Sequence, residues 1–593
     1  MGQCKQKRNK ELVFTIIALV VIALIITIVI IRALTRKHHN KLDTSEADII
    51  IVGGGTAGCI IARRLSERFP HKHILILDRG VDRRNDPIVY NIKNQVTAGY
   101  SLPYSETLPT GIPGVVAAQS LMIGGCSSHN FSLAVRGSPD IYNGEWKTQL
   151  GLSYNDLLPY FARIESYQPA TPSTSKLRFT TGRIQITPLP TKISLLPRLL
   201  PALKLAGEVG LSILVKGLKV ITDTGPLRAS DTLSNNIVQA LNTTRGVPVV
   251  DDYNTDVVVC TSVSPQLFVD SRVGIRQSTD VTYLDGRYIY IDQESRGKNR
   301  NLQLSPNSTV TNITSTGVDW ITEEGAKKNS KLKENGRVIV CAGGLYSPFL
   351  LLKSGFTVPE LGQNLRAHYG FNAIVAAEAT QDENFLFSSG PLAFLSRTTA
   401  NIRDWQLVVS GSVTPQLLAT IQPIPGVTDN TRFFTILLWN LKPRAPGTIG
   451  IDPDTPNKPK VSLNLFLDGT IKDPGSDISS LIAGLRYLHT GLVQELKKSY
   501  PTLRLVYPPA PVLERDNPVE LEKYINNGIS LTDHYSRTCK LGTVVDPTTF
   551  LLSGTKNIHV ADASVFPTIP DGNTNYPTCL IGEIAADRIG SQL

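Results

Sequence analysis

The chain has 593 residues, 41% of them hydrophobic and 19% charged, so it is long enough for more than one domain with a large core. The formal net charge is +10, but residues 1–41 hold eight Lys/Arg and one acid, which leaves only +3 for the remaining 552 residues. No basic stripe with interleaved aromatic residues follows, and this argues against a nucleic-acid partner.

An apolar run without any charge extends from Leu12 to Ile31, after a basic tail at residues 1–11. Twenty residues at helical rise span a bilayer core, and the run is longer than the apolar part of a cleaved signal peptide. We therefore predict a single-pass N-terminal transmembrane helix at residues 12–31 and a polar stalk at residues 32–46. Four Lys/Arg lie on each side of the run, so the side of the membrane is undetermined.

The seven cysteines are scattered along the chain, and no C-x-x-C pair occurs. This spacing fits neither a disulfide scaffold nor a zinc site, and we predict no metal centre.

A short apolar run after Asp48 ends in the pattern G-x-G-x-x-G at residues 53–58 and leads into a helix-like segment. Such glycines allow a tight turn, close approach to a pyrophosphate and close packing of helix on strand. The amide groups at the helix start attract phosphate. The residues assigned to this site are Gly53, Gly55, Thr56, Ala57 and Gly58.

A second apolar run, Ile74–Leu77, ends at Asp78, which lies 20 residues after Gly58. This spacing is typical of the carboxylate that holds an adenosine ribose. Strand, helix, second strand and acid together predict a dinucleotide-binding βαβ unit over residues 47–80.

Two further segments resemble returns of the chain to the same nucleotide site. An apolar strand before Gly343 and Gly344 leads into a helix predicted from Ser347 to Gly355, and a later extended run reaches Asp562. An NAD-binding domain does not require three visits across more than 500 residues. An extended FAD does, because its flavin end needs walls far from the adenosine, so we favour FAD.

The intervening segments have a different character. Residues 406–410, 432–439 and 460–466 have the composition of antiparallel strands, and Asp477–Leu488 has helical apolar spacing. We predict an α/β chain, α+β overall, with a discontinuous Rossmann-like FAD-binding domain and a second, substrate-binding domain built on an antiparallel sheet. The FAD-binding domain is assigned to residues 47–160, 241–359 and 500–593, and the substrate-binding domain to residues 161–240 and 360–499.

Four motifs in this order resemble the glucose–methanol–choline (GMC) oxidoreductase family. The first is the turn at 48–58, and the second is G-G-C-S-S-H-N at 124–130 with Val135-Arg136-Gly137 and Trp146. The third is C-A-G-G-L-Y-S-P at 341–348, followed by Leu361–Leu365. The fourth runs from His534 through residues 560–577. Together they span nearly the whole chain after residue 46.

The resemblance implies a flavoenzyme that oxidises a small-molecule alcohol and binds FAD. It places the ADP half on the glycine turn and Asp78, and the adenine beside the backbone of Val310. It places the flavin beside residues 124–130 and the pyrophosphate or ribityl chain beside residues 562–563. The residues carried over for these contacts are Gly124, Gly125, Ser127, Asn130, Asp562, Ala563, Asn573 and Thr574.

The family's two active-site positions map to His534 and Asn573. A neutral histidine can take the hydroxyl proton while the carbon loses hydride to the flavin, and an amide can hold the substrate oxygen. The electron acceptor, oxygen or a quinone-like carrier, stays open, as does the oligomeric state.

The chain departs from the family pattern at three positions. Arg537 stands where the family usually has glycine, His129 precedes Asn130, and Cys126 replaces serine. These departures leave two alternatives open, a non-redox lyase of the cyanohydrin-lyase kind and a catalytically silent flavin-binding surface protein.

Overall fold

The structure is a computed structural model that describes residues 44–84, 86–90, 104–169, 175–188, 231–270, 274–285, 301–378, 390–411, 427–428, 430–515 and 517–593. The predicted basic tail, the predicted transmembrane helix and nearly all of the predicted stalk lie outside these ranges. Within them, no helix has both the length and the apolar composition needed to cross a membrane.

A seven-stranded sheet, which we call the mixed sheet, carries the glycine turn. Glu46–Val52 lies at its centre and pairs in parallel with Ile74–Leu77 on one side and with Lys327–Val340 on the other. The three strands are apolar where they pair, as expected of parallel strands covered on both faces. The other strands of this sheet are Leu302–Ser305, Thr309–Thr314, Gly317–Ile321 and Ile558–Val560.

The helix Thr56–Arg68 packs on the mixed sheet and also contacts the last helix of the chain, Asn575–Gly590. Gly58 lets this helix lie close to the turn at the end of the strand Glu46–Val52, because a Cβ atom there would lie 2.1 Å from the carbonyl oxygen of Gly53. Ile558–Val560 pairs in parallel with the end of Lys327–Val340. The βαβ unit and both later returns of the chain therefore meet in one sheet, as predicted.

A second seven-stranded sheet, the antiparallel sheet, is built around the long pair Tyr369–Glu378 and Thr431–Asn440. Its remaining strands are Cys260–Ser262, Leu392–Leu395, Trp405–Ser410, Arg504–Tyr507 and Ile529–Leu531. Alternate residues point to opposite faces. One face packs in a large core with the helix Asp477–Tyr487, and the other carries Phe394, Gln406 and Trp439.

The predicted strands and helices differ from the structure in three respects. Residues 260–262, 504–507 and 529–531 belong to the antiparallel sheet, although the predicted boundaries place them in the FAD-binding domain. The strand expected at 460–466 is Pro459–Ser462, and it pairs only with Thr448–Ile451. Short strands carry no signal of the sheet they join, so the domain boundaries themselves stay a prediction.

The third difference concerns the helix expected from Ser347 to Gly355, which runs from Gly343 to Lys353 and encloses Pro348. A proline in a helix leaves the carbonyl four residues earlier without its usual donor. That carbonyl belongs to Gly344, and the hydroxyl of Thr538 donates to it at 2.7 Å. The helix tolerates Pro348 because a distant part of the chain supplies the missing donor.

The remaining elements complete the two layers and the connections between them. Among the described residues, the other helices of eight or more residues are Tyr154–Ile164, Asp231–Arg245 and Pro518–Gly528. Shorter helical segments are Pro87–Tyr90, Gly125–Ser128, Pro139–Ile141, Tyr142–Trp146, Lys147–Leu150, Thr279–Tyr283, Leu488–Val493, Gln494–Leu496, Ala510–Arg515 and Ala563–Val565. The small sheets are formed by Ser105–Pro109, Val116–Ser120, Glu165–Tyr167, Ile184–Pro188, Gln266–Leu267, Val269–Asp270 and Ile275–Arg276, besides the pair at 448–462.

Candidate active site

A cavity of about 780 Å³ is lined by residues of both large sheets and of the loops between them. This volume lies within the range of roughly 300–1,000 Å³ that is typical of small-molecule and cofactor pockets. Most of the residues assigned from the sequence line it: Gly53, Gly55, Thr56, Ala57, Asp78, Gly125, Asn130, Val310, His534, Asp562, Ala563, Asn573 and Thr574.

The glycine turn forms one wall of the cavity. Gly53 has φ +102°, and a Cβ atom there would lie 2.5 Å from the carbonyl oxygen of Cys341. At Gly55 the nearest atom to such a Cβ would be 3.7 Å away, so its backbone faces open space beside the start of the helix at Thr56. An anionic group can approach the amides of this turn without meeting a side chain.

Asp78 closes the turn from the end of the strand Ile74–Leu77. Its carboxylate accepts hydrogen bonds from the backbone amides of Gly54 and Gly80, each at 2.6 Å. Burial nevertheless raises the pKa of Asp78 above its ordinary value. Each oxygen retains a further lone pair. The carboxylate can therefore still accept a hydroxyl hydrogen from a ribose in the cavity.

Asp562 connects the two later segments that return to the nucleotide site, the one at Gly343 and the one that contains Asp562 itself. One of its oxygens accepts from the Gly343 amide at 2.8 Å and from the Ser347 hydroxyl at 2.6 Å. The other accepts from the Ser564 amide at 2.7 Å. Asp562 thus fixes the start of the helix Gly343–Lys353 against the segment that leads to Asn573.

Three assigned residues, Gly58, Gly124 and Ser127, are absent from the described cavity lining, and the expected flavin contacts of Gly124 and Ser127 stay a prediction. A Cβ atom at Gly124 would lie 2.1 Å from the Ser128 hydroxyl and 2.4 Å from an Asp280 oxygen. The Ser127 hydroxyl donates to the Gly124 carbonyl at 2.6 Å. Both residues therefore make packing contacts and hydrogen bonds that hold the 124–130 loop. Gly58 lies under the turn, in the packing role expected of it.

His534 lies in the cavity wall with its imidazole edge against a second histidine. Its Nδ1 atom is 2.9 Å from Nδ1 of His368, and the two rings are nearly perpendicular at 86°. Burial and the neighbouring His368 hold the pKa of His534 well below its usual range. Burial lowers the pKa of His368 to about 3. Both imidazoles are therefore neutral near pH 7.

Two tautomeric arrangements satisfy the contact between the two rings. One Nδ1 atom must donate and the other must accept. Nε2 of His368 is buried without a hydrogen-bond partner among the described residues, so its surroundings do not select the donor. With His534 donating from Nδ1, its Nε2 atom has the free lone pair of a base. With His368 donating, the proton of the neutral His534 ring lies on Nε2 instead.

Asn573 is only 8% exposed, and its side-chain oxygen accepts a hydrogen bond from Nε2 of Gln406 at 2.9 Å. Gln406 is completely buried in the antiparallel sheet, opposite Trp439 in the register of the two strands. Since the oxygen of Asn573 is occupied in this way, the amide nitrogen is the group that the residue can offer to an oxygen in the cavity.

Two of the three residues that depart from the family pattern, His129 and Cys126, line the cavity. His129 lines the cavity, and burial lowers its pKa to about 4, so its ring is neutral. The Cys126 thiol lines the cavity as well, and burial raises its pKa to about 11.

Arg537 has φ +71°, which explains why glycine suits this position in the family. Its side chain is absent from the cavity wall among the described residues, and its guanidinium lies 3.9 Å from Glu145. Arg537 therefore does not fill the cavity.

Sequence reasoning missed three residues of this site, His368, Gln406 and Trp439. His368 follows three positions after the recognised segment Leu361–Leu365, so a longer motif would have included it. Gln406 and Trp439 lie within strands predicted from their apolar pattern. Nothing local distinguishes their roles, which arise from the pairing of the two strands.

The residues present fit an FAD. The turn at Gly55 leaves the backbone open to a pyrophosphate, Asp78 lies where a ribose is held, and the cavity continues from there to His534.

Comparison with known proteins agrees with this fit. Family models described as GMC oxidoreductase match residues 47–370 and 443–582. This chain belongs to the GMC oxidoreductase family. It is accordingly an FAD-dependent oxidoreductase that acts on CH–OH groups.

Similar proteins cover almost the whole chain. The 5-(hydroxymethyl)furfural oxidase of Methylovorus sp. (strain MP688) is 26% identical, over 92% of this chain and 99% of its own. The choline oxidase of Arthrobacter globiformis is 24% identical, over 93% and 95%. The crystal structure of pyridoxine 4-oxidase from Mesorbium loti matches with a TM-score of 0.69 at 19% identity, over 91% and 98%. Because its sequence identity is only 19%, the match to pyridoxine 4-oxidase shows a similar fold and nothing more.

Proposed function

We propose that His534 is the general base of this oxidoreductase and that Asn573 holds the oxygen of the alcohol. The observation that carries the proposal is the contact between Nδ1 of His534 and Nδ1 of His368. In the proposed arrangement His534 donates through Nδ1, and its Nε2 atom is then a neutral acceptor at the cavity wall. A base of this kind must be unprotonated before it can take a hydroxyl proton. The low pKa of His534 supplies that state near pH 7.

Asn573 complements the base in this proposal. As the hydroxyl loses its proton, negative charge develops on the substrate oxygen, and a fixed N–H donor stabilises that charge. The bond from Gln406 to the Asn573 oxygen turns the amide nitrogen toward this task. Gln406 is held within the antiparallel sheet, so the donor needs no rearrangement during the reaction. When bound, FAD supplies the acceptor for the hydride at its flavin ring.

The test is anaerobic reduction of the bound flavin by an alcohol, followed by absorbance in the full-length protein in detergent. We expect His534→Ala to slow reduction on the order of a hundredfold or more, as for loss of a general base. His71→Ala, which alters an exposed histidine, is the matched control and should reduce at the rate of the unaltered protein. Near-normal reduction by His534→Ala with retained flavin would refute the assignment.

The same experiment addresses the two alternatives. A lyase would form product while its flavin stays oxidised, and a silent flavin-binding protein would show neither product nor reduction. Relatives named as oxidases and the position of Arg537 outside the cavity wall both support the redox assignment.

We further propose that residues 12–31 anchor the protein in a membrane as a single-pass helix. Support comes from the sequence, in which this uncharged run lies between two basic flanks. The proposal is tested by fractionating cells that make the full chain and washing the membranes at alkaline pH. We expect the protein to stay with the membranes, whereas Val20→Arg combined with Ile22→Arg should release it. Unaltered chain in the soluble fraction would contradict the anchor.

A further inference from the structure

A buried arginine lies directly behind the segment 124–130. Arg276 is 1% exposed and does not belong to the described cavity lining. Its Nη1 atom donates to Oδ1 of Asn130 at 2.8 Å and to the carbonyl of Ser127 at 3.2 Å. Its Nε atom donates to the carbonyl of Val89 at 3.5 Å. The guanidinium is therefore attached to a loop that borders the cavity.

A short hairpin fixes this arginine against the loop. The strand Ile275–Arg276 pairs with Val269–Asp270 in an antiparallel arrangement. The amide of Phe268, just before this pair, donates to the Ser132 carbonyl at 2.8 Å. The Ser132 amide in turn donates to Oδ1 of Asn130 at 2.9 Å. The guanidinium and the backbone that follows Asn130 thus hold the same side-chain oxygen.

The charge of Arg276 is not matched by a direct ion pair. Its hydrogen-bond partners are neutral oxygens, and its Nη2 atom is buried without any partner in the part of the chain that the structure describes. The nearby carboxylate of Asp280 accepts from the hydroxyls of Tyr90 and Ser128 instead. Burial lowers the pKa of Arg276 to about 10, so the guanidinium keeps its proton near pH 7. Burying a cation without a direct counter-ion costs free energy of folding.

The hydrogen bonds place the cation, rather than the carboxylate, next to the cavity wall. Asn130, which Arg276 contacts, lines the cavity, whereas Ser128, which Asp280 contacts, is absent from the described lining. Burial lowers the pKa of the lining residue His129, and the positive charge of Arg276 lowers it further. The field of the guanidinium therefore extends into the part of the cavity that this loop borders.

We infer that Arg276 favours the reduced state of the bound flavin through its positive charge and through its hold on Asn130. Transfer of a hydride from the alcohol to FAD adds two electrons and one proton, and hence one negative charge, to the flavin ring. A fixed cation stabilises that charge, and a buried site weakens the attraction less than water does. Arg276 acts from behind Asn130 and is therefore a positioning residue. The inference uses the predicted position of the flavin beside residues 124–130, and it is independent of the roles proposed for His534 and Asn573.

The experiment measures the midpoint potential of the flavin in the full-length holoprotein in detergent, by equilibration with a reference dye. Arg276→Lys and Arg276→Gln form the matched pair, because both keep a hydrogen-bond donor and only the Lys variant keeps the charge. We expect the Gln variant to lower the equilibrium constant for two-electron reduction at least tenfold, which lowers the potential by about 30 mV. The Lys variant should stay close to the unaltered protein.

Two results would overturn the inference. One is an equal potential in the Gln variant and the unaltered protein. The other is an equal loss in the Lys and Gln variants, since the charge would then have no effect. Neither result bears on the proposed base, which is tested by the rate of flavin reduction.

The carboxylate of the same buried cluster provides a control for disturbance of the loop. Asp280→Asn removes a negative charge, so the potential should rise or stay unchanged. A fall as large as that expected of Arg276→Gln would assign the effect to loop packing and contradict the inference.

A third variant keeps the test decisive if Arg276→Gln does not retain flavin. Arg276→Met has a side chain of similar length and no charge, and it should lower the equilibrium constant at least tenfold as well. An unchanged potential in the Met variant would overturn the inference.

Discussion

Nδ1 of His368 lies 2.9 Å from Nδ1 of His534, although 166 residues separate the two histidines in the sequence. His368 immediately precedes the strand Tyr369–Glu378, and its carbonyl accepts from the backbone amide and the hydroxyl of Thr532. The antiparallel sheet therefore holds both the imidazole that orients the proposed base and the segment that leads into that base.

Removing this orienting ring should misplace the base. We expect His368→Ala to slow anaerobic flavin reduction by about a hundredfold at most, since loss of position costs less than loss of the base. His368→Asn keeps an amide near Nδ1 of His534 and should recover part of the rate. Flavin content measured by absorbance serves as the control for folding. Equal rates in His368→Ala and the unaltered protein would argue against an orienting role.

The rate of flavin reduction should depend on pH only on the acid side of the ordinary histidine pKa. The pKa of His534 is lowered in the folded protein, so the neutral base persists as the pH falls below about 6.5, the value for an unperturbed histidine. We expect a plateau above this pH and a decline below it that His534→Ala lacks. A midpoint above 7 in the protein with bound flavin would contradict the assignment.

The lowered pKa of His534 also predicts that the folded protein becomes less stable as the pH falls. The unfolded chain takes up a proton at His534 near its ordinary pKa, whereas the folded chain resists it. The stability present above about pH 6.5 should therefore decline as the pH falls toward the folded-state pKa. The measurement is the unfolding temperature at pH 7.5 and pH 5.5, and His534→Gln should show a smaller difference between the two.

Gln406 should control which end of the Asn573 amide faces the cavity. Gln406→Glu replaces the donor with an acceptor of the same shape, so the Asn573 amide nitrogen turns toward the new carboxylate. We expect flavin reduction to slow about a hundredfold, as when an oxyanion donor is lost. Gln406→Leu removes the donor without attracting the nitrogen and should have a smaller effect. A larger loss in the Leu variant would show that the amide is not oriented in this way.

Thr538 should contribute to stability through the carbonyl that Pro348 leaves without a donor. Thr538→Val leaves the buried Gly344 oxygen unpaired, and we expect a loss of about 1–3 kcal/mol. Thr538→Ser retains the hydroxyl and should lose less. Urea unfolding of the flavin-bound protein provides the measurement, and indistinguishable midpoints for the two variants would refute the expectation.

Arg537 should be a strained position rather than a catalytic one. Its φ of +71° costs a non-glycine residue roughly 1 kcal/mol, and its contact with Glu145 at 3.9 Å is a partly exposed pair of small value. We expect Arg537→Gly to be more stable than Arg537→Ala, and both to reduce flavin at the normal rate. Loss of reduction in both variants would assign the guanidinium a role in catalysis.

Much of this architecture follows from the sequence. The glycine turn, Asp78 and the returns near residues 343 and 562 are local patterns whose spacing already implies a common sheet, and the structure brings them together. His534 and Asn573 come from the family resemblance, and the structure places both in the cavity wall.

The rest could not be read from the sequence, because it depends on pairing over long distances. The partner of Pro348 is a hydroxyl at Thr538, and the partner of Asn573 is an amide at Gln406. Ser127 lies in the recognised motif, yet its hydroxyl turns inward to Gly124. A motif identifies the residues of a loop, but it does not show which of them face the ligand.

A Cβ atom at Gly344 would lie 2.2 Å from the carbonyl oxygen of Tyr535, so the helix Gly343–Lys353 touches the residue after His534 backbone to backbone. No side chain lies between the two backbones at this contact. Substitutions of neighbouring side chains are therefore expected to shift His534 little. Leu437 and Trp439 line the cavity from the strand Thr431–Asn440, which takes no part in this backbone contact. Natural or designed variation can therefore change which alcohol the protein accepts while the machinery for removing its proton stays in place.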